Sequence, residues 1–209
     1  KLLTNTHKSM TDNPLLLVLM IAAAGYLGKL WWSDLRQTQA GTPNPNALPG
    51  ATPTPKRALL IAAAGSLVLL AGETWGEYAL GITSEQSTIT VLFALNTLGA
   101  AIIEELIFRG YLVIDRRGAG LRWLGIIGAS AVFALLHPFL WSTENGFHLT
   151  LTVKGAFSTG AAFVFSLWFY YVRFAKWNPS QSLLPCIVGH ATKNLGVIAI
   201  KAIQGFWVI

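Results

Sequence analysis

Cysteine is almost missing from this chain, charge is scarce, and aspartate never falls inside an apolar stretch. The single Cys186 excludes an intrachain disulfide and any thiolate metal cluster. Charged residues make up 11% of the 209 positions and hydrophobic ones 53%, where a soluble domain carries about 25% charge. A soluble fold is thereby excluded, because its helices would show a polar stripe every third or fourth residue. Asp12, Asp34 and Asp115 all lie in flanks or loops, so two membrane aspartates cannot share a proton in a hydrolytic centre. The net charge is +6, but the basic residues are scattered at segment ends and form no stripe or arm, which sets nucleic-acid binding aside.

What is present is a series of long apolar runs. Windows of about 20 residues give about six spans, roughly 14–32, 58–80, 88–112, 121–141, 150–172 and 182–209. The first contains Ala22-Ala23-Ala24-Gly25, which has the look of a signal-peptide cleavage region. It continues through Leu27, Leu30, Trp31 and Trp32, as an uncleaved helix with an aromatic interface anchor would. Glu73 and Glu77 cut the second span short, and Lys154 sits near the start of the fifth. The stretch 41–57 carries Pro43, Pro45, Pro49, Pro53 and Pro55 and reads as an extended or disordered linker, not a packed element.

Orientation follows from the basic loops. Arg36, Lys56 and Arg57 precede the second span, Arg116, Arg117 and Arg122 follow the third, and Arg173 and Lys176 follow the fifth. The alternate loops hold Glu85 and Glu144, so the positive-inside rule puts the three basic loops in the cytoplasm and both termini outside, with Lys1 and Lys8 against that assignment. The expected fold is all-α, a polytopic transmembrane helix bundle. It divides into an N-terminal flank and first transmembrane helix (1–40), a Pro-rich cytoplasmic linker (41–57) and a membrane-embedded helical core (58–209).

Three polar islands interrupt the core: Glu104 to Arg109, Phe133 to His137, and His190 to Asn194. A charge at the bilayer centre costs about 2.5–3.5 kcal/mol on insertion scales, so such residues mark function by default. Glu105 and Arg109 are four apart, acid first, and neutralise one another on one helical face, while Glu104 points about 100° away toward something else. The plain alternative places both acids among lipid headgroups. His137 shares a face with Phe133 and precedes Pro138, which ends or bends the helix there. His190 and Asn194 again share a face, with Lys201 close to the same direction. A polar helix contact would also explain them. Taken together, a carboxylate, two imidazoles and an amide are the groups needed for water attack on a carbonyl.

The order Glu-Glu-x-x-x-Arg, Phe-x-x-x-His, His-x-x-x-Asn resembles the CPBP family of intramembrane proteases, which holds the CAAX prenyl endopeptidases of the Rce1 type and the bacterial Abi proteins of bacteriocin processing. The resemblance covers roughly the last 120 residues. It implies an intramembrane endopeptidase acting on a membrane-associated peptide or protein, with its site in a cavity among the C-terminal four helices. Carried over, Glu104 activates water with help from His137, and His190 and Asn194 stabilise the oxyanion. Glu105, Arg109 and Phe133 support them. The family is also called a metalloprotease family; a zinc-dependent version would use Glu104, His137 and His190, although no His-Glu-x-x-His is present, and metal-free catalysis is the favoured expectation. The resemblance also implies a multi-pass integral membrane protein, of the plasma (inner) membrane in a bacterial cell, and leaves its oligomeric state open.

Rival readings are a non-catalytic membrane scaffold, a proton-relay transporter, and a serine centre at Gly128-Ala129-Ser130-Ala131. The last lacks the second glycine of the rhomboid motif, which leaves Ser130 as a small residue at a helix contact. Counting along the spans sets Glu104 and His137 about 10 Å apart in depth. A direct pairing of these two therefore requires the span limits to shift.

Overall fold

The computed structural model describes residues 14–114, 118–143 and 146–208. Lys1, Lys8, Asp12, Asp115, Arg116, Arg117 and Glu144 lie outside the described residues. The chain forms six long helices: α1 (Pro14–Gln39), α2 (Lys56–Ala79), α3 (Val91–Glu105), α4 (Ala119–Leu136), α5 (Val153–Phe174) and α6 (Leu184–Ile203). All six are long and apolar enough to cross a membrane, α3 when taken with the turn that follows it. This is the polytopic bundle expected from the apolar runs. Each span buries only a minor part of its apolar window, between 17% and 39%, so the outward faces carry residues such as Leu60, Val68, Trp75, Trp123 and Leu124. Inside the bundle the pattern inverts, and Glu105, Arg109, Ser66, Ser130 and Ser166 are fully enclosed.

α2 packs chiefly on α6, α1 on α3 and α4 on α5, and α3 also meets α6. The α2–α6 approach depends on Gly189, where a Cβ would stand 3.1 Å from Ser66 Oγ and 3.2 Å from the Ala62 carbonyl. That close fit sets the position of the next residue, His190. The starts of α3 and α5 are capped, with Thr90 and Thr152 side chains accepting from the amides of Phe93 and Gly155.

Two further features were not expected. Two-residue strands β1 (Ile89–Thr90) and β4 (Trp207–Val208) pair in parallel, while β2 (Trp141–Ser142) and β3 (His148–Leu149) form a small antiparallel hairpin. The proline-rich stretch, read from sequence as unpacked, is packed. Asp34 is buried and accepts from Asn44 Nδ2 and the Leu48 amide, each at 2.9 Å, and Trp31 Nε1 donates to the Pro49 carbonyl. Gly50, at φ +64°, accepts from the Leu183 amide, and Ser182 Oγ donates to the Thr52 carbonyl at 2.7 Å. Beyond turn bonds such as Ala47 N–H to Asn44 O and Ala51 N–H to Leu48 O, the proline-rich backbone offers itself few donors, so carbonyls such as those of Gly50 and Thr52 accept from the α5–α6 connection.

The two insecure spans explain each other: Lys154 at the start of α5 is ion-paired to Glu77 near the end of α2. Gln86 Nε2 donates to the other Glu77 oxygen at 2.7 Å. At the same end of the bundle Lys201 donates to the Ser87 carbonyl at 2.5 Å.

Candidate active site

The backbone changes register directly after the two acids. α3 ends at Glu105, and Leu106–Tyr111 winds as a π-helix, with the Leu112 amide donating to the Ile107 carbonyl at 2.8 Å. Wide turns of this kind are rare and concentrate at functional sites. Its carbonyls are met from one face of α5. Tyr170 Oη donates to Phe108 O at 2.6 Å, and Arg173 Nε donates to Arg109 O at 3.3 Å.

Within this turn Arg109 is fully buried. Its Nη1 donates to Glu105 Oε1 at 3.2 Å, and its Nη2 donates to Ser166 O at 3.0 Å and Ser166 Oγ at 2.7 Å. Ser166 Oγ in turn donates to Ser130 Oγ at 3.0 Å, so Ser130 is a helix contact as expected. The rings of Phe133, Tyr170, Phe169 and Phe108 surround the guanidinium, with centroids 4.7, 4.9, 5.3 and 5.8 Å from its carbon. Cation–π contact strengthens when water is excluded, which is the situation here. The expected Glu105–Arg109 pair is therefore present.

Glu105 also does more than neutralise Arg109. His190 Nδ1 lies 2.8 Å from Glu105 Oε1. A carboxylate oxygen that already holds an arginine can only accept, so the Nδ1–H donates and Nε2 is turned the other way. There it faces Glu104, whose Oε2 is 3.7 Å away. The imidazole is fixed between rings, stacked on Phe169 at 4.9 Å and edge-on to Phe133 at 6.3 Å. Glu104 retains 29% exposure and makes no hydrogen bond with a described residue, whereas Glu105 is enclosed at 0%. The two adjacent acids are thus separated by helical phase, one into the packed interior and one toward open space.

α4 stops at Leu136, and His137 takes extended backbone at φ −74°, ψ 130°, as Pro138 requires. Its Nδ1 lies 2.8 Å from the Phe133 carbonyl, so that nitrogen donates and Nε2 is left to accept. The Phe133 ring is 4.8 Å from the His137 ring and stands between it and His190. Glu104, Lys193 and His190 are the charged or ionisable groups near enough to act on His137 through space. Glu104 and His137 make no hydrogen bond or ion pair; the imidazole in contact range of Glu104 is His190. Asn194 donates from Nδ2 to the Thr97 carbonyl at 2.9 Å, which fastens α6 to α3 and leaves one amide N–H for other use. Lys201 does not extend this face into the site, since it is bound to Ser87 at the far end of the bundle.

No group of three His, Cys, Asp or Glu side chains among the described residues is disposed to hold a metal ion. Glu104, His137 and His190 in this arrangement do not form the ligand set a zinc site requires. Ser166 and Tyr170 went unnoticed in the sequence, and Arg173, read there as a loop charge, is buried in the last turn of α5. Their spacing of four and three on an apolar helix was the available signal, because it puts them on one face.

The family model described as type II CAAX prenyl endopeptidase Rce1-like matches residues 86–196. No curated protein and no solved structure matches the chain. The matched stretch is more than half of the sequence and contains every residue from Glu104 to Asn194 described above, on the last four helices of a six-helix membrane bundle. The chain belongs to the Rce1-like family, a family of membrane proteases of the CAAX type.

Proposed function

We propose that this protein hydrolyses a peptide bond of a membrane-associated peptide within the bilayer, with Glu104 as the base and without a metal. The observation that carries this reading is the placement of His190. Its Nδ1 is fixed by Glu105 at 2.8 Å and its Nε2 is 3.7 Å from the partly exposed Glu104. That gap is too long for a direct hydrogen bond and short enough for one water to touch both groups.

Glu104 takes a proton from the water, whose oxygen attacks the carbonyl carbon of the scissile bond. The tetrahedral oxyanion forms beside His190, which, when it carries a second proton on Nε2, donates to it. Glu105, itself held by Arg109, keeps the imidazole in place through its Nδ1–H. Glu104 then returns its proton to the leaving nitrogen, and the products are a carboxylic acid and an amine. His137, whose Nδ1–H is held by the Phe133 carbonyl, has Nε2 left to accept a hydrogen bond from the attacking water beside Glu104. Asn194 positions α6 against α3 and offers its remaining N–H to the oxyanion.

The clustering of Glu104, Glu105 and His190 supports hydrolysis over a proton relay, whose members would be strung along the membrane normal. The family description favours a substrate ending in a prenylated Cys-a-a-X sequence. The test is to incubate the protein in lipid vesicles with a membrane-peptide library that includes such a peptide. Cleavage is expected from the native chain, with and without chelator, and not from Glu104→Ala or His190→Ala. Cleavage that survives Glu104→Ala sinks the assignment, and loss on adding chelator alone overturns the metal-free mechanism.

A further inference from the structure

Lys193 is the charged side chain within the third polar island that the reaction above leaves unused. It lies three residues beyond His190 on α6, about 4.5 Å further along the helix axis. Among the described residues it makes no hydrogen bond and no ion pair; its one contact of note is the Phe165 ring, with the ammonium 5.3 Å from the centroid. Other cations within the spans are engaged. Arg109 is held by Glu105 and Ser166, Lys154 by Glu77 and Lys201 by Ser87. An ammonium within a membrane span without a partner faces a cavity or a substrate path by default.

Its surroundings point the same way. Lys193 is among the charges that act on both His137 and Glu73. Glu73 is not ion-paired to it, keeps Oε2 buried without a hydrogen-bond partner, and lines an apolar cavity of about 460 Å³ together with Phe157 and Phe165. Lys193, about one turn from His190 and against the Phe165 ring that lines this cavity, therefore stands between the candidate catalytic cluster and the wall of an apolar groove between α2 and α5.

We propose that Lys193 binds the free α-carboxylate at the C-terminus of the peptide substrate. This inference rests on the hydrolytic reading above and adds to it how the site measures its cut. A Cys-a-a-X sequence has three residues beyond its cysteine, and three extended residues span at most about 10 Å. A lysine side chain based about 4.5 Å along the helix from His190 reaches over that distance. An ammonium with three rotatable donors accepts a carboxylate arriving at the end of a flexible tail without demanding one fixed geometry. The Phe165 face keeps the charge in place while the tail is absent.

The experiment uses the full chain in vesicles and one fluorescent prenylated peptide ending in Cys-a-a-X, prepared as the free acid and as the C-terminal amide. Binding is read by anisotropy on the Glu104→Gln background, and cleavage is read on the native background. Amidation is expected to weaken binding roughly 10- to 100-fold, the range of one charge-assisted hydrogen bond. Lys193→Met should weaken the free acid by the same factor and leave the amide unchanged, and Lys193→Arg should keep most of the preference. The proposal is overturned if Lys193→Met still prefers the free acid, or if the unsubstituted Lys193 shows no preference, including by binding neither peptide. It is overturned equally if Lys193→Met harms both peptides alike and Glu73→Gln restores them, since Lys193 would then serve only as a partner for Glu73. A Lys193-dependent preference in a protein that cleaves neither peptide upholds the carboxylate site and removes the catalytic reading.

Discussion

Two polar clusters of the bundle, one around Arg109 and one around Glu77, differ in how they end. Around Arg109, partners on three helices are enclosed at 0% exposure, and the chain of contacts runs from Ser130 through Ser166, Arg109 and Glu105 to His190. It stops at Glu104, a carboxylate with no hydrogen-bond partner among the described residues and 29% exposure. At the opposite end of the bundle Glu77 is held by Lys154 and Gln86, and Lys201 by Ser87. Each of those groups is met by another, and the cluster fastens helix ends to a loop. Expense in a membrane therefore does not by itself separate a working site from a staple; an open end does.

The sharpest break between the two clusters is at Glu104. Glu104→Gln should lower cleavage of a susceptible peptide by at least about 100-fold while leaving the thermal midpoint in detergent within error. Next comes the interior of the same cluster. Arg109→Ala strips the buried Glu105 carboxylate of its guanidinium and leaves only the His190 Nδ1–H on it, which costs about 3–5 kcal/mol, and the expected readout is loss of folded protein by size exclusion. Arg109→Lys should recover little, because a single ammonium cannot hold Glu105 and Ser166 with the two arms of a fork. In the other cluster, Glu77→Ala should lower stability by about 1–3 kcal/mol with turnover per folded molecule unchanged. A fall in turnover there would erase the distinction drawn between the clusters. The smallest effect is expected from Ser166→Ala, about 1 kcal/mol in stability, with a several-fold loss in turnover as Arg109 and Glu105 loosen behind His190.

Much of this was legible in the sequence for local reasons. The spans follow from apolar length, the end of α4 at Leu136 from Pro138, and the Glu105–Arg109 pair from a spacing of four that survives into the wide turn. The remainder depends on contacts between distant segments. Periodicity could not reveal that Glu104 meets His190 instead of His137, because that choice is made by the close α2–α6 approach at Gly189 and by Phe133 lying between the two imidazoles. The π-helix escaped because a 100° period assumes a uniform helix, and the run Leu106–Tyr111 has no proline or glycine pair to announce it. The linker was misread because composition describes what a segment can do alone. Asp34 and Ser182, which hold it down, lie outside it.

The short parallel pairing of Ile89 with Trp207 and Thr90 with Val208 ties the N-terminal end of α3 to the C-terminal end of α6. Glu104 and His190 sit toward the other ends of those two helices, and the Asn194–Thr97 hydrogen bond clasps the pair a second time part-way along. The overhang from Thr97 to Glu104 is about 10 Å long at 1.5 Å per residue. A deflection of about 6° over that overhang would move the carboxylate by about 1 Å relative to the imidazole, a displacement on the order of that which costs an enzyme a hundredfold in rate, so the two clasps together guard the spacing of the reacting groups.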